Sequence, residues 1–241
     1  CPHFGTCGGC LLQHFSDTSY RAYKKNLVIE PLQALGLDVS LVQEPLVVGP
    51  AQRRRIDFMA RKWDGEVKMG FHEAESKKPF NVESCPLVHP DIPPLFAPLR
   101  QVVKKREKIL HFIETPTVTF GSHKVEVTAF GFLQATQASD KIFADFLEKK
   151  LSAETSFQTI DLFCGRGTLS LALTKMGHQV KGVECDGQAL RALQKVPEPL
   201  LTIEERNLFE SPLLKDEFEG IDAVVMNPPR AGAETQTHEL A

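Results

Sequence analysis

The chain has 241 residues, 42% hydrophobic and 24% charged, enough to bury at least one sizeable core and to form two domains. A formal charge of −3 excludes a globally basic nucleic-acid binder, so any contact with a polyanion must come from local patches. No apolar run approaches the roughly 18–20 residues of a membrane span, and the amino end has no secretory pattern. A soluble, cytoplasmic monomer with no membrane partner is expected.

Residues 1–15 form a Cys/Gly-rich loop without periodicity. Asp17 is the expected cap of a helix whose apolar positions run from Tyr20 to Leu35. Ile56, Phe58 and Ala60 alternate with polar neighbours, as do Val67, Met69 and Phe71, and Asp64-Gly65 between them predicts a hairpin turn. A proline-rich stretch, Pro90 to Pro98, leads to a helix expected over Leu99–Ile113. Val118–Phe120 and Lys124–Thr128 read as a second hairpin, and helical spacing resumes from Ala138 to Leu151.

From Phe157 the pattern becomes strand, glycine loop, helix, strand: Thr159–Phe163, Cys164–Gly167, Leu169–Met176 and Val180–Glu184. A helix over Gly187–Lys195 and a buried strand over Asp222–Met226 follow. Strands alternating with helices predict a doubly wound parallel sheet, an α/β Rossmann-like domain, beginning near residue 153. The first residue is Cys1, and Thr237 to Ala241 looks like an interrupted helix, so both ends are expected to be cuts.

Asp161-Leu162-Phe163-Cys164-Gly165-Arg166-Gly167 places glycines between a strand and a helix, where the backbone can approach a ligand and the helix amino terminus favours a negative group. Glu184 ends the next strand, where an acid can bind ribose hydroxyls. That pattern serves NAD or S-adenosylmethionine (SAM). The loop is not G-x-G-x-x-G and lacks a phosphate-gripping Lys-Ser/Thr, which favours SAM. Asn227-Pro228-Pro229-Arg230 follows a later strand, at the edge where open α/β sheets place their chemistry.

Six cysteines are present. Cys1, Cys7, Cys10 and Cys85 supply four thiolates, enough for one [4Fe–4S] cluster, with Pro86 after the last of them. Zinc is the rival, although structural zinc usually shows two close pairs. Gly8 and Gly9 allow a tight loop between Cys7 and Cys10. Cys164 and Cys185 have no neighbouring histidine to activate them and are expected to be packing residues, as is the single tryptophan, Trp63.

Together these segments resemble the RNA uracil-5-methyltransferases, in their iron–sulfur branch. CPHFGTCGGCLLQH and ESCPLVHP are similar to the branch's cluster segments, RRRIDFMAR and GFHEAES to its strand-and-turn region, and GFLQATQ to its F-x-Q-x-N element. DLFCGRG resembles its SAM loop and NPPRAGA its D-P-P-R-x-G element. The resemblance implies cluster ligands at Cys1, Cys7, Cys10 and Cys85. It implies SAM contacts at Gln134, Asp161, Gly165, Gly167, Glu184, Asn207 and Asn227, with Asn227 and Arg230 near the reacting base.

It further implies three parts: an iron–sulfur loop and helix (1–40), a mixed α+β domain (41–152) and a SAM domain (153–241). The expected reaction is methylation of uracil C5 in RNA, ribosomal RNA of the 23S type being favoured and tRNA possible, through a cysteine adduct at C6. The family's nucleophilic Ser-Cys-Asn-Pro segment and its glutamate base have no counterpart here, so this piece alone is expected to bind SAM without turnover. Asn207, Asn227 and Thr136 depart from the family's aspartates and asparagine.

Arg53-Arg54-Arg55 with Arg61 and Lys62, and Lys104-Lys105-Arg106, are local basic clusters, and alternation would put Arg53 and Arg55 on one face beside Trp63. Two rival readings stand. N-P-P also suits methylation of an amine, adenine N6 or a glutamine amide, and the chain could instead be a non-catalytic iron–sulfur RNA-binding remnant.

Overall fold

The computed structural model describes residues 1–106, 113–114, 117–120, 123–126, 134–151 and 156–241, with only the backbone of 105–106, 113–114, 117–120, 123–126 and 137. The chain divides into two units, Cys1–Ile113 and Glu114–Ala241.

In the first unit, helix α1 (Asp17–Ala34) is capped by Ser16, whose Oγ accepts the Ser19 N–H at 3.1 Å; Asp17 lies one position inside, where its charge suits the helix dipole. No side chain of α1 is fully buried. Short strand β1 (Arg55–Ile56) precedes the antiparallel pair β2 (Met59–Trp63) and β3 (Glu66–Gly70). Their turn is Asp64-Gly65, both residues at positive φ, as the sequence predicts.

Helix α2 (Phe96–Arg106) follows, and the two-residue strand β4 (Ile113–Glu114) falls at the boundary where the first unit ends. The expected helix over 99–113 therefore starts earlier, and Ile113 is extended. Ile113 is β-branched, and such a side chain suits extended backbone better than helix.

Alternation delivers the core. Ile56, Phe58, Ala60 and Met69 point inward and pack with Val82, Val88, Ile92, Phe96 and Val103. The Phe58 ring meets Phe71 edge-on at 4.9 Å and Phe96 at 5.5 Å. Each such fully buried side chain is worth about 1.5–3 kcal/mol. Trp63 is not among them: it is half-buried, with the Arg61 guanidinium 4.6 Å from its ring centre. It sits beside the hairpin turn, too far along the strand to reach the core.

The second unit holds the hairpin β5 (Thr117–Phe120) and β6 (His123–Glu126), then α3 (Gln137–Lys150), capped by Thr136. Strand β7 (Gln158–Leu162), α4 (Thr168–Lys175), β8 (Gln179–Glu184), α5 (Gly187–Gln194), β9 (Leu201–Glu205), β10 (Ala223–Met226) and α6 (Glu234–Leu240) follow. The sheet is parallel, in the order β10-β7-β8-β9.

Strand order reverses between β7 and β10, which opens a crevice beyond their carboxyl ends. Strand β9 is not among the elements expected from the sequence, although its Leu201 and Ile203 alternate with Thr202 and Glu204. Strand β10 is an edge strand among the described residues, and Val224 is 36% exposed rather than buried. Leu147, Leu169, Leu173 and Val180 form one core cluster; Ile160, Leu162, Val183, Leu208 and Leu213 form another. No helix among the described residues is long and apolar enough to cross a membrane.

Candidate functional site

Two places gather the residues singled out by sequence. The first is the carboxyl edge of the parallel sheet. Asp161 lies near the end of β7, 1% exposed, and its Oδ2 accepts the Ser170 hydroxyl at 2.6 Å. Burial pushes its carboxyl up to about 7, against the pull of Ser170 and with a smaller push from Glu184. The loop then turns through three residues at positive φ: Phe163, Gly165 and Gly167. At Gly167 a side chain is excluded twice, by the left-handed backbone and because a Cβ would lie 2.6 Å from Leu193 Cδ1.

Glu184 ends β8 and is committed to the backbone. Its Oε2 accepts the Gly165 N–H at 3.0 Å, and its Oε1 accepts those of Cys185 and Asp186 at 2.7 and 2.9 Å. The acid thus ties the glycine loop to the start of α5, and its remaining lone pairs are available to a ligand. The Arg206 N–H donates to Glu184 O at 2.8 Å, which sets Asn207 beside it. Asn207 Oδ1 accepts the Phe209 N–H at 3.1 Å. Asn227 follows β10, with its N–H 3.5 Å from Leu162 O. Asp161, Gly165, Gly167, Glu184, Asn207 and Asn227 therefore share one sheet edge. Gln134 is half-buried just ahead of α3, and Arg230 is exposed.

Cys164 is a packing residue as expected: it belongs to the cluster of Leu171, Leu190, Ala192 and Leu193, and burial raises its thiol well above the ordinary value. Cys185 is not. It is exposed, because the chain leaves the sheet there, and its thiol is raised by partial burial and by Glu184.

Sequence reasoning missed the clamp on the Asn207 loop. Arg206 holds Glu217 with two bonds of 2.6 and 2.9 Å, and also donates to the carbonyls of Ser211 and Pro212. That guanidinium holds the Glu217 carboxyl down at about 2. Also missed was Gln236, fully buried on α6, whose side chain exchanges two hydrogen bonds with the Leu213 backbone at 2.8 and 3.0 Å. Its polarity had hidden it.

The second place is in the first unit. Cys1, Cys7, Cys10 and Cys85 all line one opening of about 520 Å³, part of it open to solvent, with His3, Gln13, Arg53 and Ser84 on the same wall. None of the four is in a disulfide. Burial lifts the Cys7 thiol above its ordinary value, and the nearby Cys10 and Cys85 push the same way.

Backbone pairing brings these residues together. The Gly8 N–H donates to His72 O and the Ala74 N–H to Thr6 O, both at 2.8 Å, while Ala51 and Arg53 donate to the carbonyls of Pro86 and Leu87. Gly8 and Gly9 matter here for close approach rather than for turn geometry: a Cβ on Gly9 would lie 2.3 Å from the Phe71 ring. Among the described residues, no three His, Cys, Asp or Glu side chains converge as a single-ion metal site. Of the basic residues, Arg53 lines this opening, Arg54 is 3% exposed, and Arg61 is the cation on Trp63; Lys105 and Arg106 side chains lie outside the described residues.

Residues 136–241 match the Methyltransferase small domain family. A tRNA (uracil-54, C5)-methyltransferase of Pyrococcus abyssi, solved with S-adenosyl-L-homocysteine, superposes with a TM-score of 0.67 at 17% identity, covering 96% of this chain and 72% of that one; it shares the fold. A 23S rRNA (uracil(1939)-C(5))-methyltransferase of Shewanella sediminis is 23% identical, over 97% of this chain and 67% of its own length. An uncharacterized RNA methyltransferase of Agrobacterium fabrum is 31% identical across the whole of this chain and 72% of its own. With that identity over that coverage, the chain belongs to the RNA methyltransferase family.

Proposed function

We propose that the chain serves SAM-dependent methylation of uracil C5 in RNA, with 23S ribosomal RNA favoured over tRNA. The observation that carries this reading is the gathering of Asp161, the Gly165–Gly167 turn, Glu184, Asn207 and Asn227 along one sheet edge at the strand-order reversal. The uracil-C5 enzymes of Shewanella and Pyrococcus support it, the second having been solved with the demethylated cofactor.

SAM supplies a methyl group on a sulfonium, and the residues here orient it. The two main-chain amides after Glu184 and the Gly165 amide fix the acid that would meet the ribose. The Arg206 clamp holds Asn207 where an adenine edge would lie. The Asn227 side chain can donate to a uracil carbonyl and accept from its imide N–H, beside Arg230. The target base has to be flipped to reach this edge. C5 attack needs a thiolate added at C6. Cys164 is buried and Cys185 faces a carboxylate, so neither of these two thiols is built for that role.

Cys1, Cys7, Cys10 and Cys85 would hold a [4Fe–4S] cluster with a structural role. Four thiols outside any disulfide line one opening, a triplet plus a distant single, whereas structural zinc usually shows two close pairs.

The test is to incubate the gene product with SAM and ribosomal RNA labelled with [5-³H]uridine. Release of tritium and 5-methyluridine in the digest are expected. Methyl transfer that leaves tritium in place and yields N6-methyladenosine would favour the amine reading that Asn227-Pro228-Pro229 also suits.

A further inference from the structure

One buried group at the sheet edge has half of its hydrogen-bonding capacity unused. Asp161 is 1% exposed, its Oδ2 is taken by Ser170, and its Oδ1 has no partner among the described residues. A buried carboxylate with one naked oxygen is costly, and the side chain escapes that cost by holding a proton.

The surroundings give little relief. The register neighbours of Asp161 are Gly182 on β8 and Val225 on β10, neither of them titratable. Helix α4 contributes the Ser170 hydroxyl and its main-chain N–H, both of which favour the ionised form without outweighing burial. The loop contributes the Cys164 thiol, itself held neutral by burial, and Arg166, which is buried and has partners of its own. The end of β8 contributes Glu184, a second carboxylate.

We propose that Asp161 carries a proton in the empty site and releases it to solvent when the cationic methyl donor binds, so that cofactor binding is coupled to pH. The acid O–H bond breaks, its electron pair stays on Asp161, and the proton goes to water; nothing is oxidised or reduced. The proposal rests on the reading of this edge as a SAM site. A carboxyl lifted to about 7 places the coupling in the neutral range. The sign follows from linkage. Below pH 7 the donor must displace a proton, so affinity falls about tenfold for each further unit of acidity, and above pH 7 it levels off.

Titration calorimetry of the 241-residue chain with SAM, in buffers of different ionisation enthalpy from pH 5.5 to 8.5, reads the protons directly. Close to one proton released at pH 6 and almost none at pH 8.5 is the expected result. Asp161→Asn should remove that release while leaving whatever the donor's own amino group contributes. Ser170→Ala withdraws a bond that favours the ionised form and should move the midpoint to higher pH, which keeps the test decisive if Asp161→Asn fails to fold. Binding of SAM with no proton release at pH 6, or equal release by wild type and Asp161→Asn, would overturn the proposal. Absence of SAM binding at every pH would sink the SAM reading itself.

Discussion

The two units build their sites by opposite routes. In Glu114–Ala241 the candidate site comes from regular structure: four parallel strands end at one edge, and the candidate residues gathered there stand at or just past strand termini. In Cys1–Ile113 the site comes from irregular chain. A loop with no periodicity is laced by backbone bonds to the end of one hairpin, and a cysteine from far along the sequence is laced in beside it. The first kind of site is held by the core beneath it. The second has one exposed and three half-buried thiols and a helix, α1, that buries no side chain fully, so the proposed cluster would contribute to its order.

That contrast can be broken at the cysteines, where the largest effect is expected. Cys85→Ser should reduce bound iron and acid-labile sulfide to near zero and destabilise the first unit in thermal unfolding; the same change at Cys185 should leave iron content unaltered. Retention of full iron by the Cys85 variant would remove the cluster assignment. Next in size is Gln236→Leu, which leaves a buried N–H and a buried C=O of Leu213 unpaired. At about 1–3 kcal/mol for each such group, urea unfolding should show a loss of about 2–5 kcal/mol confined to the second unit.

Glu184→Gln keeps the shape but turns one accepting oxygen into a donor facing main-chain N–H groups. Calorimetry should find SAM affinity reduced by about ten- to a hundredfold, from the loss of charge-assisted bonds. The smallest effect is expected at Glu217. Its carboxyl titrates near 2 when folded, below its unfolded value, so its contribution is present at neutral pH and is lost as the pH falls from about 4 toward 2. Glu217→Gln should flatten that acid limb of the stability curve, and because the pair is only part-buried and screened by nearby solvent the change at pH 7 should be modest.

Much of this was legible because local chemistry dictated it. Asp64-Gly65 can hardly do other than turn, the alternation of Ile56, Phe58 and Ala60 chose the inward face, and the D-x-x-x-G-x-G spacing announced a loop between strand and helix. What escaped depends on partners distant in sequence. Nothing near Gln236 says that it will meet Leu213, and Arg206 looks like any surface arginine until Glu217 folds back onto it. Trp63 was misjudged because size alone suggests burial, whereas its place beside the turn decides otherwise. Ser16 displaced Asp17 as the α1 cap by a single residue, an offset that spacing alone does not resolve.

The lacing that delivers Cys85 to the other three cysteines has a consequence for folding order. Closing that ring joins points near opposite ends of the first unit, an entropic cost that no neighbouring sequence offsets. It is recovered only once Phe58, Met69 and Val82 have packed. With the proposed cluster at these thiols, iron uptake should report on the apolar interior as much as on the sulfur atoms. A chain weakened at Phe58 would keep all four sulfur atoms and still load slowly, because its last ligand would arrive late.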